Sequence, residues 1–387
     1  MCNRWVINQY SLKKYLKKRN YISKDQQRIN VNPLKDVKIV TSLFTNFIRR
    51  EKMIKVAIIG AGFIGEAHAN SYKQIDNADI VAIVDNVEKK GKKFAKKFGA
   101  TFYENLDDLI ESENVDSIDI CAPTFLHPEM AIKAANAGKN VFCEKPLALS
   151  LKEANRVIEA VKKNNVKAMV GHVIRFWPEY AKAKEIVDSR QLGEPLHAFC
   201  ERLAVTPDWH EGNWGFNEKY SGGASVDLHI HDLDYLIWLF GKPALVKAQG
   251  VYNEKLGGLV HIATNIEFES GKSGLAEGGW GFSGSFPFTM VLRILCEKGS
   301  IEWIFRAGKN IEERSQKTNL IVYKSDGSID EPKVEQEDGY LLECKYFIDC
   351  LENNKDIEIA TLEDGRNALE LALAATKSAK ERKTIEI

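Results

Sequence analysis

Lys145, Asp227 and His231 are the side chains of this 387-residue chain whose types and settings suit proton movement. Lys145 stands in Glu144-Lys145-Pro146, directly after the apolar run Asn140-Val141-Phe142-Cys143. That run reads as a strand, and in open α/β sheets ligands bind at the carboxyl ends of strands. Pro146 adds a rigid turn, compatible with a cis peptide bond. Asp227 and His231 lie in Gly222-Gly223-Ala224-Ser225-Val226-Asp227-Leu228-His229-Ile230-His231-Asp232-Leu233-Asp234, which runs on into the apolar Tyr235 to Phe240. Read as one helix, this stretch puts Asp227 and His231 four apart on one side. A carboxylate there would orient the imidazole, and histidine with its ordinary pKa near 6.5 is a general base at neutral pH. His229, His231, Asp232 and Asp234 also cluster in sequence, but without the H-E-x-x-H spacing of a zinc helix, so no metal is expected.

What these groups would act beside is indicated by glycines. Gly60-Ala61-Gly62-Phe63-Ile64-Gly65 follows the buried-strand pattern Met53 to Ile59 and precedes a helix-like stretch. Twenty residues after Gly65 a second apolar run, Ile80 to Val84, ends in Asp85. This is the full setting of a dinucleotide-binding fingerprint. Gly60 permits the tight turn, Gly62 lets backbone approach a pyrophosphate, and Gly65 lets helix pack on strand. The amides of Phe63 and Ile64 fall at a helix N-terminus facing the phosphates. Asp85 would accept hydrogen bonds from ribose hydroxyls and repel a 2′-phosphate, which predicts NAD rather than NADP. Lys89 and Lys90 are the nearest cations.

The elements that must position these groups alternate from Ile54 onward. Strands are predicted at Ile80–Val84, Ser117–Cys121, Asn140–Cys143 and Lys167–Val170, with helices between them. Pro128 would start one helix, and the capping box Ser150-Leu151-Lys152-Glu153 would open another running to about Asn164. Strand–helix alternation of this kind predicts a parallel sheet covered by helices. After Gly171 the pattern turns to alternating strands, at His261–Phe268, Leu275–Trp280, Met290–Leu295 and Ser300–Phe305, read as a mainly antiparallel sheet. Thr361 to Lys383 reads as a helix. The expected fold class is α/β: a Rossmann domain over 53–172, then an α/β domain with a large open sheet over 173–387, whose last helix packs back on the first domain.

Bulk composition fits this reading. Net charge is zero, yet residues 1–52 hold 13 Lys and Arg against 3 Asp and Glu, a surplus of ten that the rest of the chain balances. The segment 1–52 lacks a signal-peptide core and is read as a basic, disordered extension preceding a working protein that begins near Met53. Seven cysteines, an odd number without a C-x-x-C pair, point to reduced thiols and a cytoplasmic location. No apolar run is long enough for a membrane span. Neither a membrane nor a nucleic-acid partner is expected.

In combination and order, the fingerprint with Ala67-His68, then Pro123-Thr124-Phe125-Leu126-His127, Glu144-Lys145-Pro146-Leu147-Ala148, and Gly222-Gly223 followed by Asp227 and His231, resembles the Gfo/Idh/MocA oxidoreductases. The resemblance covers Met53 to the C-terminus. It implies hydride transfer between NAD(P) and a sugar, polyol or nucleotide-sugar hydroxyl or carbonyl, in a homodimer or homotetramer joined by the second sheet. It implies catalysis by Lys145 and His231 with Asp227 beside the imidazole. It places Pro123, Thr124 and His127 along the cofactor and Glu144 near the nicotinamide ribose. Substrate contacts are expected among Arg175, Trp177, Arg202 and Trp209, with His210 and Trp214 as further candidates. His172 and His197 are read as structural. An NAD-dependent glycosidase and a non-catalytic nucleotide sensor are the alternatives; retention of Lys145, Asp227 and His231 speaks against the sensor.

Overall fold

The computed structural model describes residues 53–207, 211–256, 258–308, 319–334 and 336–387. The basic segment 1–52, Trp209 and His210 lie outside the described residues. The first sheet contains β1 (Ile54–Ile59), β2 (Ala78–Val84), β3 (Thr101–Tyr103), β4 (Ser117–Ile120), β5 (Asn140–Glu144) and β6 (Ala168–Gly171). All its pairings are parallel and the order is β3-β2-β1-β4-β5-β6. The order reverses between β1 and β4, so a crevice opens there beyond the carboxyl ends of the strands. The helices α1 (Phe63–Tyr72), α2 (Glu88–Phe98), α3 (Leu106–Ser112), α4 (His127–Asn136) and α5 (Leu151–Asn164) make the crossovers.

Local chemistry fixes several boundaries. Ser150 Oγ accepts from Glu153 N at 3.3 Å and caps α5, and Pro128 sits in the first turn of α4, where no amide donor is lost. β1 and β4 are buried on both faces, as a strand covered by helices must be. Two polar residues, Ser117 and Asp119, lie in β4 with no exposure.

Beyond α6 (Pro178–Asp188), the chain enters a sheet of nine strands among the described residues. β7 (Pro195–Val205) is followed by the short helices α7 (Glu218–Ser221) and α8 (Gly223–Asp227), then by α9 (Ile230–Phe240). The strands β8 (Pro243–Asn253), β9 (Gly258–Phe268), β10 (Ser273–Phe282), β11 (Thr289–Cys296), β12 (Gly299–Arg306), β13 (Ile321–Lys324) and β14 (Ile329–Asp330) complete most of the sheet. Only β7 and β10 pair in parallel; the other pairings are antiparallel. Two helices then return, α10 (Gly339–Glu352) onto α1 and α11 (Leu362–Glu381) onto α5, β6, α9 and β8, before β15 (Ile385–Glu386) joins the sheet edge.

The single helix read from Gly222 to Phe240 is interrupted. α8 ends at Asp227, Leu228 and His229 form a turn, and α9 begins at Ile230. His229 N bonds back five residues to Ala224 O, which breaks the helical register.

Candidate active site

The fingerprint loop has the geometry its glycines suggest. Gly60 has φ +98°, and a Cβ there would sit 2.5 Å from Cys121 O. A Cβ on Gly65 would lie 2.0 Å from Gly60 O, so α1 crosses the loop in close contact. Gly62 has open space where a side chain would project, and it caps α1 without a side-chain hydrogen bond. An uncapped helix N-terminus beside open space fits a pyrophosphate. Phe63 is exposed and Ile64 is half-buried on this first turn. Asp85 closes the loop: its Oδ2 accepts from Ala61 N and its Oδ1 from Val87 N, each at 2.8 Å. Each oxygen keeps a lone pair for a ribose hydroxyl.

Lys145 stands beyond the end of β5 and reaches into the second domain. Its Nζ donates to Asp227 O at 2.5 Å and lies 3.2 Å from Asp227 Oδ1, both side chains being largely buried. Thus β5 and the end of α8 meet across the cleft. His231, in the first turn of α9, is half-buried, and its Nδ1 is enclosed without a hydrogen-bond partner. Burial, the Lys145 ammonium, Arg202 and His172 together push His231 well below the usual imidazole range. It is therefore neutral at pH 7. The Asp227 carboxylate is paired with Lys145, and the break between α8 and α9 falls between Asp227 and His231.

Two residues expected along the cofactor make close contacts within the protein. His127 is buried, with Nδ1 2.8 Å from Pro146 O and Nε2 2.8 Å from Ala122 O. It ties the loop carrying Pro123 and Thr124 to the Lys145–Pro146 turn. Burial pushes it down, outweighing the two carbonyls. Glu144 turns its carboxylate toward His68: Oε2 accepts from Lys145 N at 3.0 Å, and Oε1 lies 3.1 Å from His68 Nε2. Pro123 is half-buried and Thr124 buried in the turn Thr124–Leu126, whose exposed Phe125 packs against Tyr220 at 4.9 Å between ring centres.

Below this edge lies a buried cluster that the sequence reading did not assemble. His68 Nδ1 is 2.8 Å from Asp119 Oδ2, and its Nε2 is 3.4 Å from Glu343 Oε1 on α10. Burial would push His68 down, but Asp119, with Cys121 and Cys344 nearby, holds it well above the ordinary value. Among the described residues, two triads gather within 4.8 Å, His68–Asp119–Cys121 and His68–Glu144–Glu343. Both share the His68 imidazole, the first with a carboxylate and a thiol and the second with two carboxylates, and an imidazolium there pairs with the carboxylates by charge. A charged residue inside the apolar strand pattern of Ser117 to Ile120 was the available signal for Asp119; Glu343 had none, because its helix was not read.

Three of the expected substrate contacts are buried, and the two arginines among them are held by carboxylates. Arg175 is buried and bidentate to Asp234 at 2.8 and 2.9 Å, with Asp364 at 3.0 Å. Arg202 is buried and bidentate to Asp232 at 2.9 and 3.1 Å. Trp177 is buried in the core. Each guanidinium is matched by a carboxylate. The same pairs explain why Asp232 and Asp234 do not gather with His229, whose Nε2 meets Thr264 Oγ1 at 2.9 Å. Trp214, on the turn Glu211–Phe216, is half-buried.

Comparison with known proteins gives this arrangement its family. Residues 54–172 match the model described as oxidoreductase family, NAD-binding Rossmann fold, and residues 184–387 match that family's C-terminal alpha/beta domain. The chain belongs to the Gfo/Idh/MocA oxidoreductase family. It is 30% identical over 342 residues to scyllo-inositol 2-dehydrogenase (NAD(+)) of Bacillus subtilis, covering 85% of this chain and 94% of that one. It is 30% identical over 349 residues to myo-inositol 2-dehydrogenase of Thermotoga maritima, covering 86% and 98%. The crystal structure of myo-inositol 2-dehydrogenase from Lactobacillus plantarum superposes with TM-score 0.73 at 28% identity, covering 87% of this chain and all of that one. As a Gfo/Idh/MocA protein the chain is an NAD-dependent oxidoreductase acting on CH–OH groups, with its cofactor held by the fingerprint domain. Among the described residues, no helix is long and apolar enough to cross a membrane.

Proposed function

We propose that this protein oxidises a ring hydroxyl of an inositol-like polyol, with Lys145 and His231 as its catalytic pair and Asp227 as the anchor of the lysine. The observation that carries this reading is the meeting of Lys145 and Asp227 across the cleft, at the sheet edge where the fingerprint opens. NAD, when bound, accepts the hydride from the carbon bearing the hydroxyl. The residues manage the proton. Neutral His231 offers a lone pair to the departing hydroxyl proton; its enclosed Nδ1 leaves Nε2 to face the substrate. Lys145, steadied by Asp227, donates toward the substrate oxygen and stabilises the charge that develops there. The alcohol loses a hydride and a proton, and a carbonyl remains.

NAD is the preferred cofactor in this reading, because Asp85 sits where a 2′-phosphate would fall. The inositol class is supported by relatives named inositol 2-dehydrogenases that align over nearly their whole length. Free thiols at Cys121, Cys143, Cys200, Cys296, Cys344 and Cys350 suit a cytoplasmic protein. A homo-oligomer would use the outward face of the second sheet, where Val251 and Leu295 are exposed. Light scattering on the purified chain tests the assembly.

The substrate assignment is tested by NADH formation from scyllo-inositol, myo-inositol, free aldoses and nucleotide sugars. An inositol is expected to give the highest kcat/KM, with NADP poorer than NAD. Fastest turnover with a nucleotide sugar would overturn the inositol assignment.

A further inference from the structure

The His68 cluster takes no part in the chemistry above, yet it touches the backbone that presents Lys145. The Glu144 carboxylate is the joint. Its Oε2 accepts the Lys145 amide proton at 3.0 Å, and its Oε1 faces His68 Nε2 at 3.1 Å. It has little room to turn elsewhere, since a Cβ on Gly171 would lie 2.7 Å from Oε1. The ring of His68 is equally confined, with Phe142 at 5.0 Å and Tyr340 at 5.9 Å between ring centres and Asp119 Oδ2 2.8 Å from its other nitrogen. Asp119, Glu144 and Glu343 surround this imidazole, and Asp119 and Glu144 face its two ring nitrogens at 2.8 and 3.1 Å. Tyr72, Tyr340, Cys121 and Cys344 are the other titratable groups around it.

We propose that His68 is a positioning residue for Lys145. As an imidazolium between Asp119 and Glu144 it fixes the Glu144 carboxylate. The carboxylate's second oxygen then holds the Lys145 amide, so that Nζ reaches Asp227 and the reacting oxygen. This rests on the reading of Lys145 as catalytic. Misplacement of a reacting group by about 1 Å can cost on the order of a hundredfold in rate, so a buried clamp two bonds removed has leverage.

The test is a double-substitution cycle on kcat with the inositol that reduces NAD fastest. It compares wild type, Glu144→Gln, Lys145→Ala and the double variant, with NAD affinity measured by titration. Glu144→Gln removes the negative charge that faces His68 Nε2 at 3.1 Å and leaves a single acceptor oxygen, so it cannot both answer the imidazolium and hold the Lys145 amide. Glu144→Gln is expected to lower kcat roughly 10- to 100-fold, with KM and the NAD Kd within about twofold, and to have no further effect in the Lys145→Ala background. His68→Phe, which keeps the ring volume, is expected to reproduce this; should it not fold, the Glu144→Gln cycle stands alone. An equal fold-loss from Glu144→Gln in both backgrounds would overturn the proposal. So would a stoichiometric divalent ion retained by the purified protein and lost in His68→Phe. Near-normal turnover of Lys145→Ala is a separate outcome, which removes the catalytic assignment itself.

Discussion

The molecule buries two histidines near one cleft and gives them opposite charge states. His68 lies among Asp119, Glu144 and Glu343, and Asp119, with Cys121 and Cys344 nearby, holds the proton on against the cost of burial. His231 lies where burial is reinforced by the cations Lys145 and Arg202, and the proton is driven off. His68 lies in the second turn of α1 and His231 in the first turn of α9. The difference shows that what surrounds an imidazole, and not burial by itself, decides whether it becomes a structural cation or a base.

That contrast is open to attack through pH. His127, His172 and His229 are also buried, and their imidazoles are pushed down, His229 to about 3. Their folded values lie below the unfolded value near 6.5, so the unfolded chain binds more protons as pH falls through 6.5. Each is expected to remove stability below that point until its folded value is reached, and for His229 the slope approaches about 1.4 kcal/mol per pH unit. His68 has the opposite sign: its contribution is full below pH 6.5 and fades as pH rises through its raised folded value. Denaturant melts between pH 7.5 and 5 check the balance, and unchanged stability across that range would break the contrast.

Arg202→Met tests the cationic side. It leaves Asp232 buried without its bidentate partner, and a loss of about 3–5 kcal/mol is expected. A loss below about 1 kcal/mol would mean that the pair is solvated. On the acidic side, burial pushes Glu343 above the ordinary carboxyl range, so the folded state costs a proton uptake as pH rises from 4.5. Glu343→Gln removes that linkage. Its thermal midpoint is expected to gain on wild type steadily between pH 5 and 8, by the equivalent of about 1–2 kcal/mol. A constant difference would place Glu343 outside the cluster's proton balance. In kinetics, the acid limb of kcat is expected below pH 6.5, set by His231; a limb above pH 7 would mean that His231 is charged in the working enzyme.

The sequence carried the cofactor half of this site further than the substrate half. The fingerprint works through backbone geometry that only glycine supplies, so Gly60, Gly62 and Gly65 were readable without any neighbour. Asp85 follows from a fixed distance along two parallel strands. Arg175 and Arg202 could not be placed that way. Their partners stand 59 and 30 residues along the chain, and a guanidinium awaiting a ligand looks the same in sequence as one already paired. The Gly222–Phe240 stretch misled for a related reason: its apolar pattern is helical on both sides of Leu228–His229, and the break is made by the backbone bond from His229 to Ala224. Glu343 stayed invisible because its helix, with its acidic and aromatic residues mixed, shows little periodicity.

The central claim is that Lys145 and His231 carry out polyol oxidation at the fingerprint edge. The initial rate of NADH formation from scyllo- or myo-inositol at pH 7.5 tests it directly, measured for wild type, Lys145→Ala and His231→Ala with NAD binding checked in each. The account predicts that each substitution lowers kcat by about 10²- to 10⁴-fold while NAD still binds. Turnover within about tenfold of wild type in both variants would contradict it.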